Sequence, residues 1–300
     1  MALISLSAVF SNLSRLWLRP LAALLLAVPA AASAQEAQRI VSIGGAVTEI
    51  LYQLGVQDRI VAVDTTSLYP PEALKTKPNV GYLRQLSAEG ILSMGPDLII
   101  MEGDAGPPEA VALLDQAKIR VVHVPSGHRL GELSTKIREV AAAVGKAEEG
   151  AAMAARVEAD LEKLKQDLSA VRQKKRVLFV LSMVDGRPMA AGTETGADGI
   201  IRLAGGENVF SEVKGYKTIS PEAASALQPE VVLMMTRPSA PNDSAEILKQ
   251  PAFAETPAGK NGGFIIMDAL YLLGYGPRTA DAARDLAARL YPDLNLAAGK

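Results

Sequence analysis

One stretch of this chain is written twice, and the copy constrains the architecture more than any other feature. Ser87-Ala-Glu89-Gly-Ile-Leu-Ser-Met-Gly-Pro96-Asp97-Leu-Ile-Ile-Met101 matches Ser220-Pro-Glu222-Ala-Ala-Ser-Ala-Leu-Gln-Pro229-Glu230-Val-Val-Leu-Met234 position for position. Just upstream, Gly81-Tyr82 has a counterpart in Gly215-Tyr216. In each copy a Ser suits a helix N-cap, a Glu falls in the first turn, and Pro followed by an acid stops the helix before a buried strand. A weaker pairing sets 44–61 beside 192–209. A repeated helix–strand unit implies a duplicated half, and therefore two lobes of one construction.

The segments around the repeat fit that reading. Short apolar, β-branched runs at 39–43, 60–63, 98–101 and 121–124, and again at 176–181, 231–235 and 264–267, alternate with helical stretches. Continuous apolar strands between helices predict mainly parallel sheets covered on both faces, so each lobe reads as a Rossmann-like α/β unit. Between them, Met153, Val157, Leu161, Leu164, Leu168 and Val171 recur at helical spacing, with Glu158, Asp160, Glu162, Lys163, Lys165 and Asp167 on the other face. One amphipathic helix over 146–173 is expected to join a lobe at 35–145 to a lobe at 174–300. Two α/β lobes facing each other leave a ligand cleft at the C-terminal ends of their strands.

Residues 1–34 read as a signal peptide. Arg15 and Arg19 precede an apolar run too short to span a bilayer, and Ala32-Ser33-Ala34 supplies small residues for cleavage before Gln35. Those residues hold two Arg and no acid, so the mature chain is more acidic than the formal −2 of the whole. With no basic block, nucleic acid is not an expected partner. There is no cysteine, which excludes disulfides, thiolate metal sites, cysteine nucleophiles and a lipid anchor on an N-terminal Cys. The expectation is an exported, unanchored, monomeric protein held in a periplasm. No G-x-G-x-x-G after a strand, P-loop or G-x-S-x-G is present, so a binding protein rather than an enzyme is expected.

With these features in place, the chain resembles the periplasmic binding proteins of ABC importers that have a helical backbone, the group serving iron complexes and cobalamin. Asp64-Thr-Thr-Ser-Leu-Tyr69-Pro-Pro, then Val80-Gly-Tyr82-Leu-Arg84-Gln-Leu-Ser-Ala-Glu89-Gly, then Leu273-Gly-Tyr-Gly-Pro277-Arg278 is similar to the haem-binding members. That resemblance implies haem as cargo, with a ferric siderophore or cobalamin as the alternative, and an outer-membrane haem receptor upstream. It also implies Tyr69 as the axial ligand to haem iron, and docking of Glu89 and Glu222, one per lobe, onto the membrane permease.

The residues themselves support parts of this. A phenolate is a hard anionic ligand suited to ferric iron, and its ionisation needs a nearby cation, for which Arg84 and Arg237 are the candidates. Pro70 and Pro71 are expected to hold the loop after Tyr69 extended. Arg237 directly follows the strand at 231–235 and is placed to bind a propionate. Tyr82 and Tyr275 are further candidates for the cargo wall, with Tyr271 beside the latter. Of Met234 and Met235, one is expected in the core and one against the porphyrin. His128, in a loop after a strand, is a candidate second iron ligand. His123, within that strand, is expected to be structural, and Tyr52, in the helical stretch with Ile50 and Leu54, a core or surface-helix residue.

Overall fold

The computed structural model describes residues 36–236, 244–294 and 296. The signal-peptide reading of 1–34 and the assignment to Arg237 lie outside these residues. In the first lobe the elements run β1 (Ile40–Ile43), α1 (Gly45–Gln53), β2 (Ile60–Val63), α2 (Glu72–Thr76), α3 (Ala88–Leu92), β3 (Leu98–Glu102), α4 (Pro108–Gln116), β4 (Arg120–Val124) and α5 (Leu130–Ala143). The long helix α6 (Ala147–Asp167) follows. The second lobe carries β5 (Arg176–Val184), β6 (Arg187–Ala191), α7 (Gly196–Leu203), β7 (Glu207–Asn208), β8 (Tyr216–Thr218), α8 (Pro221–Ala226) and β9 (Val231–Met235). It continues with α9 (Ser244–Leu248), α10 (Pro257–Asn261), β10 (Phe264–Met267), α11 (Ala269–Leu273) and α12 (Thr279–Leu290).

The duplication survives in the topology. The first sheet is parallel in the order β2-β1-β3-β4, and the second repeats it as β7-β5-β9-β10, also parallel. Ser87 and Ser220 each cap their helix by accepting the N–H of the third residue on, at 3.2 Å in both copies. After each helix the chain turns through a left-handed residue, Gly95 in one lobe and Gln228 in the other. The acids then do the same work. Asp97 accepts the N–H groups of Gln38 and Arg39, and Glu230 accepts that of Arg176. In return the guanidinium of Arg39 donates to the carbonyls of Met94 and Gly95, and that of Arg176 to those of Leu227 and Gln228. An arginine at the start of the lobe's first strand, just before it in one lobe and its first residue in the other, thus satisfies the free carbonyls at the end of a helix, a pairing not read from the sequence.

The second sheet also differs from the first. Strands β5, β6 and β8 form an antiparallel extension that the expected pattern lacked. Its hairpin turns at Asp185-Gly186, both left-handed, and Asp-Gly is the residue pair such a turn selects. Side chains alternate through both sheets with the period of two that a strand imposes. Ile40 and Phe179 face one shared core, whereas Val41 packs on the outer side of the first sheet and Val180 on that of the second.

The shared core is built around α6, whose Met153, Ala154, Val157, Leu161 and Leu164 are buried. The helix is shorter than expected. It ends at Asp167 and tightens into a 3-10 turn at Leu168–Ala170, so Leu168 and Val171 lie partly buried beyond it. Its 21 residues give a rod of about 30 Å. The apolar residues it collects come from α5, α7, α12 and the inner faces of both sheets, and Arg284 of α12 donates to Asp167 at 2.8 Å.

Candidate functional site

A cleft of about 880 Å³ opens where the strands of both lobes end, within the range of small-molecule sites. Its walls are the loops leaving β1, β2, β3 and β4 on one side, and those leaving β6 and β9, together with α11, on the other. Met235 lines it while Met234 lies in the core, as a strand alternating between faces requires.

The turn after β2 is organised by the buried carboxylate of Asp64. One oxygen accepts the Gly44 N–H at 2.9 Å and the Ser67 hydroxyl at 3.1 Å; the other accepts the N–H and hydroxyl of Thr66 at 3.0 and 2.7 Å. Ser67 continues through Thr48 to Ser42 by hydroxyl contacts of 2.7 Å each. An acid bonding the backbone two residues on makes a fixed turn without regular structure, which is the physical content of Asp-Thr-Thr-Ser in this motif. Gly45 lets the turn lie close: a Cβ there would stand 2.4 Å from the Thr66 carbonyl oxygen.

Thr65, Thr66 and Leu68 line the cleft, and Tyr69 stands beside them, 38% exposed. Its hydroxyl makes no hydrogen bond to the described residues. The Tyr69–Pro70 peptide bond is cis, and Pro71 is already helical, capping α2. The extended path expected after Tyr69 is therefore corrected: the second proline starts a helix, a position where its fixed φ is favourable.

The cation at Tyr69 was not among the candidates. The Arg278 guanidinium carbon sits 3.5 Å from the centroid of the Tyr69 ring. Its edge is gripped by Glu49 of α1, with Nε to Oε1 at 3.0 Å and Nη2 to Oε2 at 2.9 Å. Burial opposes the charge on Arg278, but Glu49 and Tyr69 hold it above the usual arginine range. The sequence contained Gly-Pro-Arg278, but 209 positions separate it from Tyr69, and only the fold brings them together.

Arg84, the expected cation, turns instead to its own loop and to the β3 end. It donates to the Tyr82 hydroxyl at 2.6 Å and pairs with Asp104. Burial works against its charge, and Tyr82 and Asp104 more than restore it. Tyr82 and its repeat counterpart Tyr216 both line the cleft, from opposite lobes. Tyr275 belongs to the interior rather than to the cargo wall. It is 3% exposed, with a left-handed backbone, and its hydroxyl donates to the Gly196 carbonyl at 2.7 Å. Burial pushes its phenol up, as it does that of Tyr271, which donates to Asp285.

His128 lines the cleft with its ring tilted against Tyr275 at 5.1 Å. Its buried Nδ1 has no hydrogen-bond partner. Burial, assisted by Lys136, lowers its pKa and favours the neutral ring. His123 is exposed and meets Asp115 at 2.8 Å. Behind the cleft wall, Lys136, 1% exposed, donates to Glu102 at 2.8 Å. Burial raises the Glu102 carboxyl above its usual range despite that lysine. Glu89 and Glu222 are exposed in the first turns of α3 and α8, which start at the cleft end of each lobe and run back towards the strand beginnings. Hydrogen bonds from backbone and Ser220 keep the Glu222 carboxyl low.

Residues 40–271 match the family model described as periplasmic binding protein. The chain belongs to the periplasmic binding protein family. Its two-lobed architecture is closely similar to a periplasmic heme-binding protein from Roseiflexus sp. RS-1 in apo form. That chain is 38% identical with a TM-score of 0.81, over 86% of this chain and 99% of the other. A second periplasmic heme-binding protein, BhuT, solved in complex with two hemes, is 38% identical with a TM-score of 0.80, over 85% and 98% of the two chains. Among curated relatives, a vitamin B12-binding protein of Vibrio campbellii is 29% identical over 208 residues, 69% of this chain and 74% of its own. Periplasmic binding proteins of this kind are substrate-binding proteins, and among the described residues no helix is long and apolar enough to cross a membrane.

Proposed function

We propose that this chain captures haem in the periplasm and delivers it to an ABC importer. The observation that carries the reading is Tyr69: a phenol beside the cleft with its hydroxyl uncommitted and a fixed cation on its ring. Haem leaves an axial position of its iron open, and a phenolate oxygen fills it as a hard ligand. Siderophores already saturate their iron, so they give Tyr69 no such duty. Arg84 stands where a propionate can replace Asp104 as partner, and Tyr82 offers an aromatic face to the macrocycle. His128, kept neutral by burial, is the candidate for the opposite axial position. Similarity at 38% identity to two heme-binding proteins over nearly their whole length supports the same choice.

Hemin titrated into the purified mature chain should bind with a ferric phenolate charge-transfer band. Tyr69→Phe should abolish that band and weaken binding at least about tenfold, equivalent to ~1.4 kcal/mol. An unchanged spectrum in Tyr69→Phe refutes the ligand assignment. The vitamin B12-binding relatives supply the second reading, and uptake of cyanocobalamin in preference to hemin would establish it. Glu89 and Glu222, repeated once per lobe, suit a two-fold permease partner. Their joint replacement by alanine should leave hemin affinity unchanged and abolish delivery in a reconstituted importer; retained transport refutes the docking role.

A further inference from the structure

The contact between Arg278 and Tyr69 spans the two lobes. Tyr69 belongs to the turn after β2, Glu49 to α1 of the same lobe, and Arg278 to the loop that opens α12 on the far side of the chain. Glu49 is 3% exposed, and besides the two guanidinium bonds its Oε1 accepts the Arg278 backbone N–H at 3.3 Å. A carboxylate that grips the guanidinium edge in its own plane leaves both flat faces of the cation free. One of those faces lies 3.5 Å from the centroid of the Tyr69 ring; Tyr271 lies at 5.1 Å from the same cation. A guanidinium held this close acts on the π-system of the phenol, while the phenol oxygen stays open.

We infer that Arg278 and Glu49 form a positioning pair that sets how strongly Tyr69 donates to bound iron: Arg278 withdraws electron density through the ring face, and Glu49 moderates its charge. This rests on the reading of Tyr69 as the haem ligand. The cation lowers the phenolate donor orbital, so charge transfer to ferric iron takes more energy with Arg278 in place. Removing Arg278 moves the band to longer wavelength. Neutralising Glu49 leaves the guanidinium charge unopposed and moves it to shorter wavelength. The two halves of one ion pair therefore have opposite effects on the ligand although they have the same effect on the fold.

The test is the phenolate charge-transfer band of the hemin complex in Arg278→Leu, Arg278→Lys and Glu49→Gln, beside thermal unfolding of each apo protein. Both pair-breaking variants, Arg278→Leu and Glu49→Gln, should unfold at lower temperature than the parent. The band should shift to longer wavelength in Arg278→Leu, to shorter wavelength in Glu49→Gln, and stay near the parent position in Arg278→Lys. Arg278→Gln takes the place of Arg278→Leu if the latter does not fold. A shift of the same sign in both pair-breaking variants marks a purely structural latch and overturns the inference, as does a band that ignores them. If the band survives Tyr69→Phe, both the ligand assignment and this inference fall. If it depends on Tyr69 and not on the pair, only this inference does.

Discussion

Lys136→Met is the sharpest probe of the ion pair that Glu102 of the cleft wall makes with the lysine behind it. The Lys136 ammonium is 1% exposed and its partner Glu102 14%, so the substitution leaves a carboxylate buried without its counter-ion. Breaking such a pair from one side costs about 3–5 kcal/mol. For a chain of this size each kcal/mol lowers the melting temperature by roughly 2–4 °C, so a fall of at least about 6 °C is expected at pH 7.5. The loss should depend on pH in a definite sense. Burial already raises the Glu102 carboxyl above its ordinary 4.5, against the pull of Lys136. Without Lys136 it rises further, and the folded state binds the proton more tightly than the unfolded one. Its favourable contribution is then complete below about 4.5 and is lost as pH rises through the folded value. Melts followed by circular dichroism should show the gap between parent and variant narrowing from pH 7.5 to 5.5. Adding Glu102→Gln to Lys136→Met should recover most of the deficit at pH 7.5. A gap that is constant or wider at low pH, or smaller than about 1 kcal/mol throughout, refutes the account of Glu102 as a buried charge sustained by Lys136.

Two further outcomes follow from the cleft wall. The folded state keeps His128 below its ordinary range by burial, so its contribution is present above about pH 6.5 and is lost as pH falls through the folded value; urea titrations at pH 7.5 and 5 should show an acid-induced loss in the parent that His128→Phe lacks. Gly45→Ala places a Cβ 2.4 Å from the Thr66 oxygen and 2.5 Å from Leu270, which should cost about 1–3 kcal/mol in chemical denaturation and weaken hemin binding by displacing the Tyr69 turn.

The parts of this molecule that were legible in its sequence are those that depend on local pattern. The apolar strands, the amphipathic helix and the repeated Ser-x-Glu helices declare themselves within a few residues. The hairpin of β5 and β6 was legible in Asp185-Gly186 but had no repeat partner to draw attention to it. What stayed hidden depends on the tertiary path. Arg278 meets Tyr69 where the loop that opens α12 reaches Glu49 of α1, and Arg84 is diverted by Asp104, which lies on the far side of α3 and β3 in the chain. Tyr275 reads as a candidate for the cargo wall, yet its ring is buried and lies against His128. The helix was overextended at its end because Leu168 and Val171 keep the apolar spacing although the backbone has already tightened.

The Arg39 and Arg176 ties lie at the strand beginnings, opposite the cleft, and there the lobes are still near-copies, down to the carbonyls each guanidinium meets. At the strand ends the lobes share Tyr82 and Tyr216 but have otherwise parted: Tyr69 and its Asp64 turn have no twin, and the second lobe answers with a hairpin. Ancestry is thus preserved most fully at one pole of the molecule, while the other keeps the paired Tyr82 and Tyr216 and the capped helices but carries the chemical novelty. A lineage built this way can exchange cargo by rewriting short loops while the opposite pole keeps the strands in place, so loops transplanted from relatives with different ligands should be accepted with little loss of the fold.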